Sequence, residues 1–118
     1  MSGHSIHYGD RLFRAVQLDG NGDVGEETLF KYDQREDRLM ATYSGGDVEY
    51  GTMVGTVHRD GSLTFLYHHR TKDGGLRAGR CQSRPEILKN GRIRLHEKWV
   101  WTYGPQRGMS GKSVVEEV

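Results

Sequence analysis

The chain has 118 residues, with a net charge of +1 from 17 Lys and Arg against 16 Asp and Glu, a single cysteine, and 17 glycines against two prolines. That length suits one compact domain with its own core, the lone Cys81 excludes an intramolecular disulfide, and the balanced charge gives no global pull toward nucleic acid or an anionic membrane. The opening "MSGHSIHYGD" is polar and no run of 18 apolar residues occurs, so a soluble, cytoplasmic chain with no membrane partner is expected.

Residues 1–10 have no periodic pattern and are expected to be loose, leaving His4 and His7 outside any core. From Arg11 onward, segments rich in Val, Thr, Tyr, Phe and Trp alternate with turn signals built from Gly, Asn and Asp. A first strand is predicted at 11–17, ending at "DGNGD" (19–23). This stretch resembles the start of a calcium loop, but Val24 stands where such a loop needs glycine and Phe30 where it needs glutamate, so a hairpin turn is expected. A second strand at 27–34 ends at "REDR", and a third at 39–44 ends at "SGGD", with Thr42 and Ser44 as possible inward-facing polar groups.

The fourth and fifth strands, 48–58 and 63–70, flank "RDGS". A three-residue turn with Gly61 in the left-handed position would pair His58 with Ser62. Gly51, Met53, Gly55 and Val57 then share a face with Leu63, Phe65, Tyr67 and His69, and the glycines make room for the rings. A two-residue turn would instead bring Val54 and Thr56 beside Phe65 and Tyr67. A sixth strand at 76–84 follows "KDGG", a seventh at 92–102 follows "KNG", and an eighth at 112–118 follows "GPQRG".

Eight strands in sequence, with no long crossover and no helical periodicity, predict an all-β, eight-stranded antiparallel up-and-down barrel, closed by the first strand and "KSVVEEV". An open sandwich is the alternative. The seventh strand, "RIRLHEKWVWTYG", alternates cleanly. Arg92, Arg94, His96 and Lys98 fall on one face; Ile93, Leu95, Glu97, Trp99 and Trp101 fall on the other.

The inferred interior is aromatic and partly polar: Phe65, Tyr67, His69, Cys81, Ser83, Glu97, Trp99 and Trp101, with Thr42 possible. Ligand cavities combine apolar walls with a few placed polar groups in this way. A buried carboxylate needs a cation, donors or its own proton, so Glu97 either ties the barrel together or faces a ligand, with His69 or Arg80 as candidate partners.

Other chemistries fit less well. His68 and His69 point to opposite faces, and no zinc-type spacing occurs, so no metal is expected. Cys81 lacks an evident activating base. "GPQRGMSG" has neither acetyl-CoA nor phosphate-loop spacing and reads as a loop over one barrel end, and no motif asks for a cofactor. The cationic stripe lies opposite the aromatics and near "VVEEV", which argues against nucleic acid as a partner.

Taken together, "GRIRLHEKWVWT", "ATYSGG", "YHH" and "SVVEEV" resemble a family of small bacterial proteins over Arg11 to Val118, whose members often carry the label N-acetylglutamate synthase. The missing acetyl-CoA motif and the short chain speak against that activity. Trp99 and Thr102 also match the Trp and Thr spacing in a strand of avidin-type barrels, and this resemblance implies that Trp99 is a cavity wall. The first functional expectation is a non-enzymatic, avidin- or lipocalin-like (calycin-type) barrel that binds a small, partly apolar ligand. Trp99, Trp101, Phe65 and Tyr67 would form its walls, and Glu97 and His69 its polar anchors. The second is a small enzyme with Glu97 and His69 as acid and base. The third is a module that forms a homodimer through exposed Val54, Leu66 and Val100, which is compatible with a ligand.

Overall fold

The computed structural model describes residues 6–18 and 24–118. Eight strands follow one another: β1 Arg11–Leu18, β2 Leu29–Arg35, β3 Arg38–Gly45, β4 Val48–Val57, β5 Leu63–Thr71, β6 Leu76–Ile87, β7 Ile93–Tyr103 and β8 Ser110–Glu117. Each pairs antiparallel with the next, and β1 pairs with β8, giving a closed barrel with no free edge. Among the described residues there is no helix. The all-β barrel is therefore as the sequence predicts; the 19–23 turn lies outside the described residues.

The β4–β5 register follows the three-residue turn. His58 N–H donates to Ser62 O, Gly61 has φ 87°, and Val57, Gly55, Met53 and Gly51 face Leu63, Phe65, Tyr67 and His69. Two glycines are required by close approach. A Cβ at Gly51 would collide with the Tyr43 ring, and one at Gly79 with the Tyr67 hydroxyl. Aromatic rings thus occupy interior space that the neighbouring strands leave open.

The barrel is packed at one end and hollow toward the other. Phe13, Tyr32, Leu39, Leu63, Ile93 and Leu95 fill the packed end, each with at most 1% of its surface exposed. Burying such a side chain contributes roughly 2–3 kcal/mol, and together these residues anchor the fold. Tyr8 completes this plug; of the 1–10 segment expected to be loose, residues 1–5 lie outside the described residues, and Tyr8 is held in place. Tyr8 is fully buried, its hydroxyl donates to Gly61 O at 2.6 Å, and its N–H donates to Gln34 Oε1 at 2.8 Å. A lone aromatic in a polar segment has no periodicity to announce it, but it closes the barrel floor.

Outside, two members of the stripe on β7 meet carboxylates, one of them from "VVEEV". Arg94 meets Glu116 at 3.4 Å, and His96 Nε2 lies 2.9 Å from Glu86. Arg11 makes a two-pronged contact with Glu117, whose carboxylate also accepts the Ile93 N–H, clasping β1, β7 and β8 together.

Candidate functional site

Climbing β7 from the packed end, the inward side chains are Ile93, Leu95, Glu97, Trp99 and Trp101. The first two belong to the core, Glu97 stands at the transition, and the two tryptophans rise into the hollow half. There a cavity of about 70 Å³ opens. Its walls include Phe65, Tyr67 and His69 from β5, Cys81 from β6, Trp99 and Trp101 from β7, and Glu97 with Ser113 from β7 and β8.

The rings form a connected wall. Trp101 meets Tyr67 at 5.4 Å and 73°, His69 at 5.9 Å and 75°, and Trp99 at 5.8 Å and 60° between ring centroids and planes. These tilted and edge-to-face geometries are the ones aromatic quadrupoles favour. His69 Nδ1 and the Tyr43 hydroxyl are hydrogen-bonded at 2.8 Å, which fixes the imidazole.

Glu97 sits in a chain of donors. Trp99 Nε1–H donates to Ser113 Oγ at 3.2 Å, and Ser113 Oγ–H donates to Glu97 Oε1 at 3.0 Å. Ser113 stands directly opposite Glu97 across the β7–β8 ladder, and Ser83 stands opposite on β6. Burial disfavours the charged carboxylate and pushes its pKa from 4.5 to about 7, partly offset by the Ser113 hydrogen bond. Burial also raises the Cys81 thiol and the Tyr67 and Tyr32 hydroxyls, and the Glu97 charge adds to each. Cys81 is therefore held as a thiol.

Seven of the eight sequence-derived ligand-site residues (Phe65, Tyr67, His69, Cys81, Glu97, Trp99 and Trp101) line this cavity. Thr42 does not, and neither does Ser44: both lie on the exposed outer face of β3, where Thr42 pairs with Thr52. The alternation set by Leu39 and Ala41 places Tyr43 inside instead. The expected partners of Glu97 also change, because Ser113 takes the place of His69 or Arg80. Arg80 lies on the outer face between Leu66 and Val100. His69 faces the cavity, and its Nδ1 is hydrogen-bonded to the Tyr43 hydroxyl. Wall residues not singled out from the sequence include Phe30, Tyr43 and Ser113. Alternation with Val115 could have placed Ser113 inward.

Among the described residues, no three His, Cys, Asp or Glu side chains come together as a metal site. No helix there is long and apolar enough to cross a membrane.

Residues 6–118 match the model of the avidin-like protein family. The chain belongs to the avidin-like family. No curated protein and no solved structure matched the chain. The family match covers all eight strands, and the closed antiparallel barrel is consistent with it.

Proposed function

We propose that this avidin-like chain binds a small, partly apolar molecule in the open half of its barrel. The observation that carries this reading is a buried, ring-walled cavity with one carboxylate, Glu97, set into its wall. The packed end around Phe13, Tyr32, Leu39, Leu63, Ile93 and Leu95 is filled by side chains, whereas the other half keeps a cavity between its rings. Trp99 and Trp101 supply flat apolar surface, and Ser113 couples Trp99 to Glu97, so a ligand touching one perturbs the other. A thermal-shift and tryptophan-fluorescence screen tests this. Hits should raise the melting temperature of the wild type and lose at least tenfold in affinity with Trp99→Ala. Hits that bind Trp99→Ala as well as wild type would place the ligand elsewhere.

A second reading, proton transfer by Glu97 with His69 as partner, is favoured by the carboxylate's titration near neutrality. Turnover of a bound hit, abolished by Glu97→Gln with binding retained, would establish it.

The homodimer reading rests on a row of apolar side chains outside the barrel. Met40, Val54 and Leu66 are adjacent on β3, β4 and β5 and are 40%, 61% and 60% exposed, with Val100 beyond Arg80. Light scattering that shows only monomer at high concentration would remove it. Acetyl transfer is not part of this proposal, because the chain has no acetyl-CoA motif.

A further inference from the structure

The polar part of the cavity is strongly asymmetric in charge. Among the described residues, Glu97 is the one carboxylate that lines it, no lysine or arginine does, and His69 is the one group of basic type. Ser113 satisfies Glu97 Oε1, and among the described residues Oε2 has no hydrogen bond and the carboxylate no ion-pair partner. Ser83 Oγ and Tyr32 Oη lie near the same carboxylate, both buried and both without a hydrogen-bond partner. Buried hydroxyls at other places in the barrel do find partners, as those of Thr28 and Tyr8 do. A carboxylate left this way costs free energy until a proton or a cation joins it.

We infer that the ligand carries a protonated amine, whose ammonium group occupies the place beside Glu97 Oε2 and lies against the rings of Trp99, Trp101 and Tyr67. The inference rests on the cavity being the ligand site and adds the chemical class of what enters. Three features support an ammonium over a neutral head group. The carboxylate supplies the opposite charge. Tyr67, Trp99 and Trp101 line the same cavity as Glu97, and aromatic rings of this kind attract cations. Finally, no lysine or arginine among the described residues lines the cavity, so an anionic ligand would meet the ionised Glu97 without a fixed positive charge beside it. Size limits the group further. A cavity of about 70 Å³ is roughly half of one that takes benzene, so it suits a head of about three to five heavy atoms, with any longer part extending through the open end.

Binding an ammonium requires Glu97 ionised, so affinity should rise with pH. The titratable groups that face Glu97 are Cys81 on β6, Tyr67 and, across the cavity, His69 on β5, and Tyr32 on β2. Burial keeps the thiol and both phenols protonated through this range. The test titrates n-butylamine, 1-butanol and butyrate into the full chain, following the Trp99 and Trp101 indole N–H resonances. At pH 8, n-butylamine is expected to bind at least tenfold more tightly than 1-butanol. That preference should disappear in Glu97→Gln, with the melting temperature confirming that the variant is folded. The affinity for n-butylamine should fall about tenfold per unit below pH 7, while that for 1-butanol stays level. 1-Butanol binding as tightly as the amine, butyrate binding more tightly, or a flat amine profile would overturn the amine assignment and leave the cavity reading standing. If none of the three shifts either indole resonance, both readings fall.

Discussion

Glu97→Gln should make the barrel more stable at alkaline pH, although it replaces a buried, hydrogen-bonded side chain. Glutamine keeps a carbonyl oxygen for the Ser113 hydroxyl and removes the charge whose burial is costly. The difference between the ordinary carboxyl pKa of 4.5 and about 7 in the barrel corresponds to about 3 kcal/mol. Its sign is fixed by linkage. Below pH 4.5 both folded and unfolded chains hold the proton and no cost arises. As pH rises, the unfolded chain releases its proton first, and stability is lost progressively until the folded chain also ionises near 7. The variant's advantage should therefore be absent near pH 4 and reach up to about 3 kcal/mol at pH 8, or roughly 10 °C in melting temperature for a chain of this size. Hydrogen bonds hold Asp60, Asp73 and Glu86 below the usual carboxylate range, but they are the same in both proteins and cancel. Thermal unfolding followed by circular dichroism from pH 4 to 9 gives the comparison. A constant gap across that range, or a wild type more stable at pH 8, would refute the burial of an unpaired carboxylate.

Other consequences are simpler to measure. Tyr8→Phe removes the hydroxyl bonded to Gly61 O and should cost about 1 kcal/mol in urea unfolding; no change would mean that the floor plug is not anchored there. Gly79→Ala places a methyl group on the Tyr67 hydroxyl and should cost about 1–3 kcal/mol while pushing that ring into the cavity, which weakens any hit from the ligand screen. Cys81, 4% exposed with its thiol pKa raised by burial, should resist iodoacetamide at pH 8 until the chain unfolds. Rapid native-state labelling would contradict its place in the wall.

What was legible in the sequence depended on how firmly local chemistry fixed register. Arg59-Asp60-Gly61 is a specific turn, and the whole β4–β5 face follows from it. The alternation on β7 is equally firm because cations cannot share the interior with Ile93, Leu95 and the tryptophans. The partner of Glu97 was harder to find. Ser113 reaches it through the β7–β8 register, which is set by a six-residue loop at 104–109 held by Trp101 N–H to Met109 O and Gly108 N–H to Trp101 O. No short turn signature encodes that register, and β8 accordingly begins at Ser110, two residues before the predicted start. Thr42 was misplaced for a different reason. A small hydroxyl suits a cavity chemically, yet Leu39 and Ala41 had already committed the odd-numbered positions of β3 to the inside. Tyr8 was missed because one residue has no period.

The most direct measurement is the crystal structure of the chain with a hit from the ligand screen, read as difference density. Density for the bound molecule should lie between the Trp99 and Trp101 rings and the Glu97 carboxylate, inside the open half of the barrel. Density on the outer face, with the cavity unchanged from the ligand-free form, would contradict the assignment of this barrel interior as the binding site.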